Sequence, residues 1–122
     1  MSDKNKKYRC RVLVVEDEWL VRWSIEKTLI KHEFDVLSME SSTEALEVIK
    51  NNPLDWIVTD LKMPEINGLK LIQAMKDSNP HGKAILITAF GTARVKKQAK
   101  QLGALFIKKP FDVDRLVNKI VE

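Results

Sequence analysis

The feature that most constrains this chain is a repeated alternation. A short run of consecutive apolar residues is followed, again and again, by a longer stretch whose apolar residues return every three or four positions. The first run, 12–15 (VLVV), is continuous and largely β-branched, which suits a strand covered on both faces. Behind it Val21, Ile25 and Leu29 recur at four-residue steps over 19–32, the stripe of a helix. A weaker strand is expected at 34–39, where Asp35 suits a sheet edge. Ser41-Ser42-Thr43-Glu44 reads as a capping box opening a helix with Ala45, Leu46 and Ile49 inward. The next strand is expected at 54–59 and the next helix at 68–76, with Leu69, Ile72 and Met75 on one side. A strand at 84–87 precedes a helix at 93–102, with Val95, Ala99 and Leu102 inward and Gly103 as its stop. A last strand at 104–107 leads to a helix capped by Asp112, with Val113, Leu116, Val117 and Ile120 on its inner face.

Five strand-then-helix units in series predict an α/β fold. The expected form is a five-stranded parallel sheet of order 2-1-3-4-5, doubly wound with five helices, flavodoxin-like. The 122 residues fit one domain, expected over 10–122. Residues 1–9 read as a flexible basic arm, and much of the net +4 charge sits at this start of the chain, where Lys4, Lys6, Lys7, Arg9 and Arg11 crowd together. No aromatic-and-basic surface accompanies the arm, so a solvated terminus is favoured over direct nucleic-acid binding. Cys10 is the single cysteine, which excludes an internal disulfide. No apolar run approaches the roughly 18 residues of a membrane span and no signal peptide is evident, so a cytoplasmic location away from membranes is expected.

In doubly wound sheets, ligands sit beyond the carboxyl ends of the strands, near the point where strand order reverses. The residues expected there are Glu16-Asp17, followed by Glu18; then Asp60; then Thr88; then Lys108-Lys109-Pro110. Clustered carboxylates repel unless a cation joins them or some are protonated. A few oxygen donors open to water suit Mg²⁺. Lys109 offers a point charge for a phosphoryl oxygen and Thr88 a hydroxyl donor. Together they suit phosphoryl transfer, which depends chiefly on positioning and charge neutralisation. A carboxylate can itself be the nucleophile, giving an aspartyl-phosphate, and Asp60, on the middle strand, is the best candidate. Each residue alone has a plainer reading: a turn aspartate, an acidic first helical turn, a structural threonine, a solvated lysine. Their joint occurrence at successive strand ends favours a site.

These residues lie in four motifs, VLVVEDE, IVTDLKMPEINGLKLI, ILITAFG and GALFIKKPFD. In this order and spacing they resemble the receiver domains of two-component response regulators, over about residues 11–121. The resemblance implies that Asp60 is the phospho-acceptor, served by the phosphohistidine of a sensor histidine kinase or phosphotransfer protein. It implies Mg²⁺ held by Asp17, by Glu16 through water, by Asp60 and by the backbone carbonyl of Lys62. Thr88 would be the switch hydroxyl, Phe106 the switch aromatic, and Lys109 the partner of a phosphoryl oxygen, with a cis bond to Pro110. Met63-Pro64 would turn the Lys62 carbonyl toward the metal, and Gly68 would let the chain bend into its helix. Such a domain is regulatory, not an enzyme acting on an outside substrate. Residues 21–29 (VRWSIEKTL) are similar to receivers of the nitrogen-regulation type, which head transcription activators.

Some positions depart from the common pattern. Glu16 stands where Asp is commoner, Lys62 is a cation two residues past the acceptor, and Phe90 lies two past Thr88. Phe90 is expected to shield the phosphoryl group from water. Trp19, beside the acidic pair, reads as an exposed first-turn residue that could report metal binding. Arg94, Lys96, Lys97 and Lys100 form a basic face on the fourth helix, ordinarily just solvated. By the resemblance, this helix with the fifth strand and fifth helix forms an output face for a homodimer, an effector domain or a downstream protein. Other classes fit less well. A haloacid-dehalogenase-type phosphatase wants a second Asp where Lys62 sits. A flavin carrier wants a hydroxyl-rich loop where three carboxylates stand. A GTPase wants a glycine-rich loop ending in Lys-Ser/Thr. A receiver fold kept purely for interaction remains the alternative within the same fold.

Overall fold

The computed structural model describes residues 9–122 and has five strand–helix units. They are β1 (Arg11–Val15) and α1 (Trp19–Lys31), β2 (Asp35–Met39) and α2 (Ser42–Asn51), β3 (Trp56–Asp60) and α3 (Gly68–Ser78), β4 (Lys83–Thr88) and α4 (Ala93–Gln101), β5 (Leu105–Lys108) and α5 (Val113–Val121). All pairings are parallel and the order is β2-β1-β3-β4-β5, as the alternation predicts. The basic arm expected at 1–9 lies, apart from Arg9, outside the described residues.

The continuous apolar runs are the three central strands, and the twofold alternation of strand side chains divides them between two cores. Leu13, Val15, Ile57 and Leu86 face α2, α3 and α4, packing on Ala45, Ile49, Leu71, Ile72, Met75 and Ala99. Val12, Val14, Val58, Ile85 and Ile87 face α1 and α5, packing on Ile25, Leu29, Leu116, Val117 and Ile120. Each fully buried Val, Leu or Ile contributes about 1.5–3 kcal/mol, so truncating Leu13 or Ile25 to Ala would cost about 2–5 kcal/mol. The edge strands β2 and β5 are only partly buried. On β2, Asp35 takes an ion pair from Arg11 Nε at 3.0 Å.

The helix signals act locally as read. Ser41 Oγ accepts from Glu44 N at 3.2 Å, and Asp112 Oδ1 accepts from Asp114 N at 2.9 Å. Asn67 and Thr92 cap α3 and α4 in the same way. Gly103 closes α4 with φ of 73°, the only positive φ among the glycines. The third strand begins later than expected because Leu54 N is taken by the Asn79 side chain, at 3.1 Å. It runs on through Asp60, which pairs in register with Ile87. Helix α3 extends past Lys76 to Ser78, through a polar last turn that has no apolar stripe to announce it.

Candidate functional site

The parallel sheet delivers the ends of β1, β3, β4 and β5 to one rim. Glu16 follows β1 and is fully buried; its backbone N donates to Met39 O at 3.1 Å. Arg22, on α1, donates Nη1–H to the Glu16 carbonyl at 2.6 Å, tying the helix to the strand end. Asp60, the last residue of β3, is 8% exposed. Its Oδ1 accepts from Leu61 N at 2.7 Å, so the carboxylate is held by the backbone of its own turn.

Gly68 fixes the other side of that turn. Its N–H donates to Leu61 O at 2.9 Å. A Cβ on Gly68 would stand 2.1 Å from the carbonyl oxygen of Asp60 and 3.1 Å from Leu86 Cδ1. The expected role, a bend needing glycine's freedom, is therefore corrected: its φ is not positive, and the requirement is close approach of α3 to the strand end.

Lys109 organises the rim. Its Nζ lies 2.8 Å from Glu16 Oε1, 2.6 Å from Glu18 Oε1 and 3.1 Å from Asp60 Oδ2. Its backbone N donates to Thr88 O at 3.0 Å, and its bond to Pro110 is cis, as the resemblance implied. Burial alone would lower the pKa of this amine, but the carboxylates of Glu16, Glu18 and Asp60 outweigh that and hold it above the ordinary lysine value. Burial pushes the Glu16 carboxyl up from 4.5 to about 7; the adjacent Lys109 ammonium and the hydrogen bond from Glu18 N oppose this, and the nearby Asp60 charge adds to it. Glu16 Oε2 accepts from Glu18 N at 3.0 Å. Glu16 Oε1 is close to Lys109 in distance yet lacks a hydrogen bond of acceptable direction, so it is a buried oxygen paired in charge but unsatisfied in direction.

Carboxylate oxygens of Glu16, Asp17 and Asp60 lie within 4.8 Å of one another. Hard oxygen donors at this spacing, one of them buried and directionally unsatisfied, fit a divalent cation. The carbonyl of Lys62 belongs to the loop that leaves Asp60. The Lys62 ammonium lies 4.1 Å from the centre of the Phe90 ring, which is 57% exposed.

Thr88 is buried one residue beyond the register partner of Asp60, and its Oγ1 accepts from Phe90 N at 3.0 Å. Phe106, on β5, pairs with Leu86, and its ring lies against Gly91, where a Cβ would come within 2.2 Å of Cζ. Thr88 and Phe106 are thus joined through the short loop after β4. Sequence reasoning named both residues but missed Gly91, whose small size admits the ring. It also gave Glu18 no partner. The nearest signal was the third acid of the Glu16-Asp17-Glu18 run. Trp19 is 66% exposed, as expected. Arg94, Lys96, Lys97 and Lys100 are exposed on α4, with Lys96 Nζ 5.4 Å from the Phe106 ring centre.

A doubly wound α/β protein with a buried carboxylate, an acidic pair and a lysine at one strand-end rim has the make-up of a regulatory phospho-accepting domain. The chain belongs to the response regulator receiver domain family, which matches residues 12–121. It is 32% identical to the chemotaxis protein CheY of Bacillus subtilis over 112 residues, 90% of this chain and 93% of that protein. It is 35% identical to the response regulator protein PilR of Pseudomonas aeruginosa over 109 residues, 88% of this chain but only 24% of PilR's length. In fold it is similar to a CheY-like receiver domain from Methanospirillum hungatei JF-1, with a TM-score of 0.87, 24% identity, and coverage of 93% of this chain and 92% of that one. The chain is a regulatory receiver domain of two-component signalling. No helix among the described residues is long and apolar enough to cross a membrane.

Proposed function

We propose that Asp60 accepts a phosphoryl group from the phosphohistidine of a sensor histidine kinase or phosphotransfer protein. The observation that carries this is the Asp60 carboxylate, central on the rim, held by Leu61 N at 2.7 Å and by Lys109 at 3.1 Å beside the Glu16–Asp17 pair. One Asp60 oxygen attacks phosphorus, the P–N bond breaks, and its electron pair returns to the imidazole. Mg²⁺, held by Glu16, Asp17, Asp60 and the Lys62 carbonyl, would neutralise charge on the transferring group. Lys109 pairs with a phosphoryl oxygen once transfer has occurred. The Thr88 hydroxyl, which only accepts from Phe90 N, keeps its own proton to donate to another. Turning that hydroxyl inward frees Phe90 N, and the loop bearing Gly91 against Phe106 moves with it.

The output is read on α4, β5 and α5, by a homodimer, an effector domain or a downstream protein. The basic residues of α4 supply its charge, and reversing Lys97 and Lys100 should abolish that interaction. The domain spans 10–122, preceded by a basic arm at 1–9, and works in the cytoplasm as a regulator without turnover of an outside substrate.

Intact-mass spectrometry after incubation with acetyl phosphate and Mg²⁺ tests the reading. One phosphoryl adduct is expected on the wild type, and none on Asp60→Asn or with EDTA. Failure to form the adduct, together with failure to bind beryllofluoride in a Mg²⁺-dependent way, would refute it and favour a receiver fold kept for interaction alone.

A further inference from the structure

Glu18 is the N-cap residue of α1, yet its side chain caps nothing there. It reaches instead across 91 residues of sequence to Lys109 Nζ, at 2.6 Å, the shortest of that amine's three carboxylate contacts. An ammonium has three N–H donors and no acceptor. Three carboxylate oxygens already stand within 3.1 Å of this one. Two of its donors are hydrogen-bonded, to Glu18 and Asp60, and Glu16 Oε1 crowds it at 2.8 Å without a well-directed bond, so an incoming phosphoryl oxygen must compete with carboxylates for this amine.

The three carboxylates differ in how easily they give way. Glu16 is fully buried, and release would leave its charge unpaired away from water. Asp60 is itself the acceptor. Glu16 and Asp60 also belong to the oxygen cluster with Asp17, and Glu18 does not. The Glu18 side chain is 62% exposed, so water replaces the lysine as soon as it lets go.

We infer that Glu18 is a positioning residue that guards Lys109, holding its ammonium by a displaceable ion pair that competes with a phosphoryl oxygen for the lysine. The inference rests on the reading of Asp60 as acceptor and adds a brake to it. The guard slows phosphorylation in two ways. It draws the ammonium toward itself and occupies one of its donors, and it sets a negative charge beside an incoming phosphate.

Two variants separate these effects. Glu18→Gln removes the charge. Glu18→Asp keeps the charge but withdraws it by about 1.5 Å, one carbon–carbon bond, out of contact with Lys109. Aspartate is also a favoured N-cap, so it can turn onto the helix instead. The measurement is the initial rate of adduct formation with acetyl phosphate at saturating Mg²⁺, beside the affinities for beryllofluoride and for Mg²⁺ alone. An exposed ion pair of this kind leads us to expect both variants to be phosphorylated about two- to fivefold faster than wild type. Glu18→Asp should bind beryllofluoride tighter by a similar factor with its Mg²⁺ affinity unchanged. Acceleration in Glu18→Gln but not in Glu18→Asp would mean that charge alone acts, and would overturn the guard. Equal or slower rates in both would show that Glu18 merely holds Lys109 in place. A wild type that never forms the adduct or binds beryllofluoride would refute the acceptor reading itself, and the guard with it.

Discussion

Substituting Gly68 by Ala sets two effects of opposite sign against each other. Alanine is the better helix former, by about 1 kcal/mol in a helix interior, so propensity alone predicts a more stable protein. The structure predicts the reverse. A Cβ at this position would lie 2.1 Å from the Asp60 carbonyl oxygen, where ordinary contact begins near 3.4 Å. Helix α3 and the end of β3 would have to part by more than about 1 Å, and the nearest opposing atoms are backbone, which cannot rotate away as a side chain can. Overpacking against such a partner costs about 1–3 kcal/mol, and the rigid contact places this case at the upper end. The expected net loss is about 2 kcal/mol. Urea unfolding followed by far-UV circular dichroism, with the slope of the transition held equal, gives the value directly. Because the displaced carbonyl belongs to Asp60, the rate of adduct formation from acetyl phosphate should fall as well. A variant as stable as wild type, or more so, with an unchanged rate, would refute the close-approach reasoning.

Glu16 should make the metal-free protein pH-sensitive. Its pKa is raised from 4.5 to about 7, so between these values the native state keeps a proton that the unfolded chain has lost. Its contribution to stability is fully present below pH 4.5 and is lost as pH rises through 7. Urea midpoints measured in EDTA should decline over that window, and Glu16→Gln should flatten the decline; equal slopes in the two proteins would disprove it. Lys109→Met leaves the buried Glu16 carboxylate without its cation, and should cost about 3 kcal/mol in EDTA, partly restored by Mg²⁺. Undiminished stability without metal would count against the rim's charge balance. Phe90→Ala removes the ring that Lys62 covers at 4.1 Å, and should shorten the half-life of the phosphorylated protein several-fold, followed by loss of the mass adduct. An unchanged half-life would mean that the pair does not shield the site.

Much of this protein is legible in its sequence, because periodicity records burial. A continuous run such as VLVV needs cover on both faces, and a four-residue recurrence such as Val21, Ile25 and Leu29 needs a helix; five such units leave few topologies open. Once the sheet is parallel and doubly wound, every strand's carboxyl end lies on one side, so Glu16, Asp17, Asp60, Thr88 and Lys109 were placed together by chain order alone. Which atoms meet there was decided only by tertiary structure. Lys109 reaches Glu18 across 91 residues, and no local pattern records that choice. Gly68 reads as a bend, but packing makes it a gap that admits a carbonyl; Gly91 carries no helical or strand signal, yet receives the Phe106 ring. The physical reason is one of range. Burial pattern and capping act over a few residues and can be read along the chain, whereas ion pairing and close approach depend on ångström-scale distances that exist only after distant elements have packed.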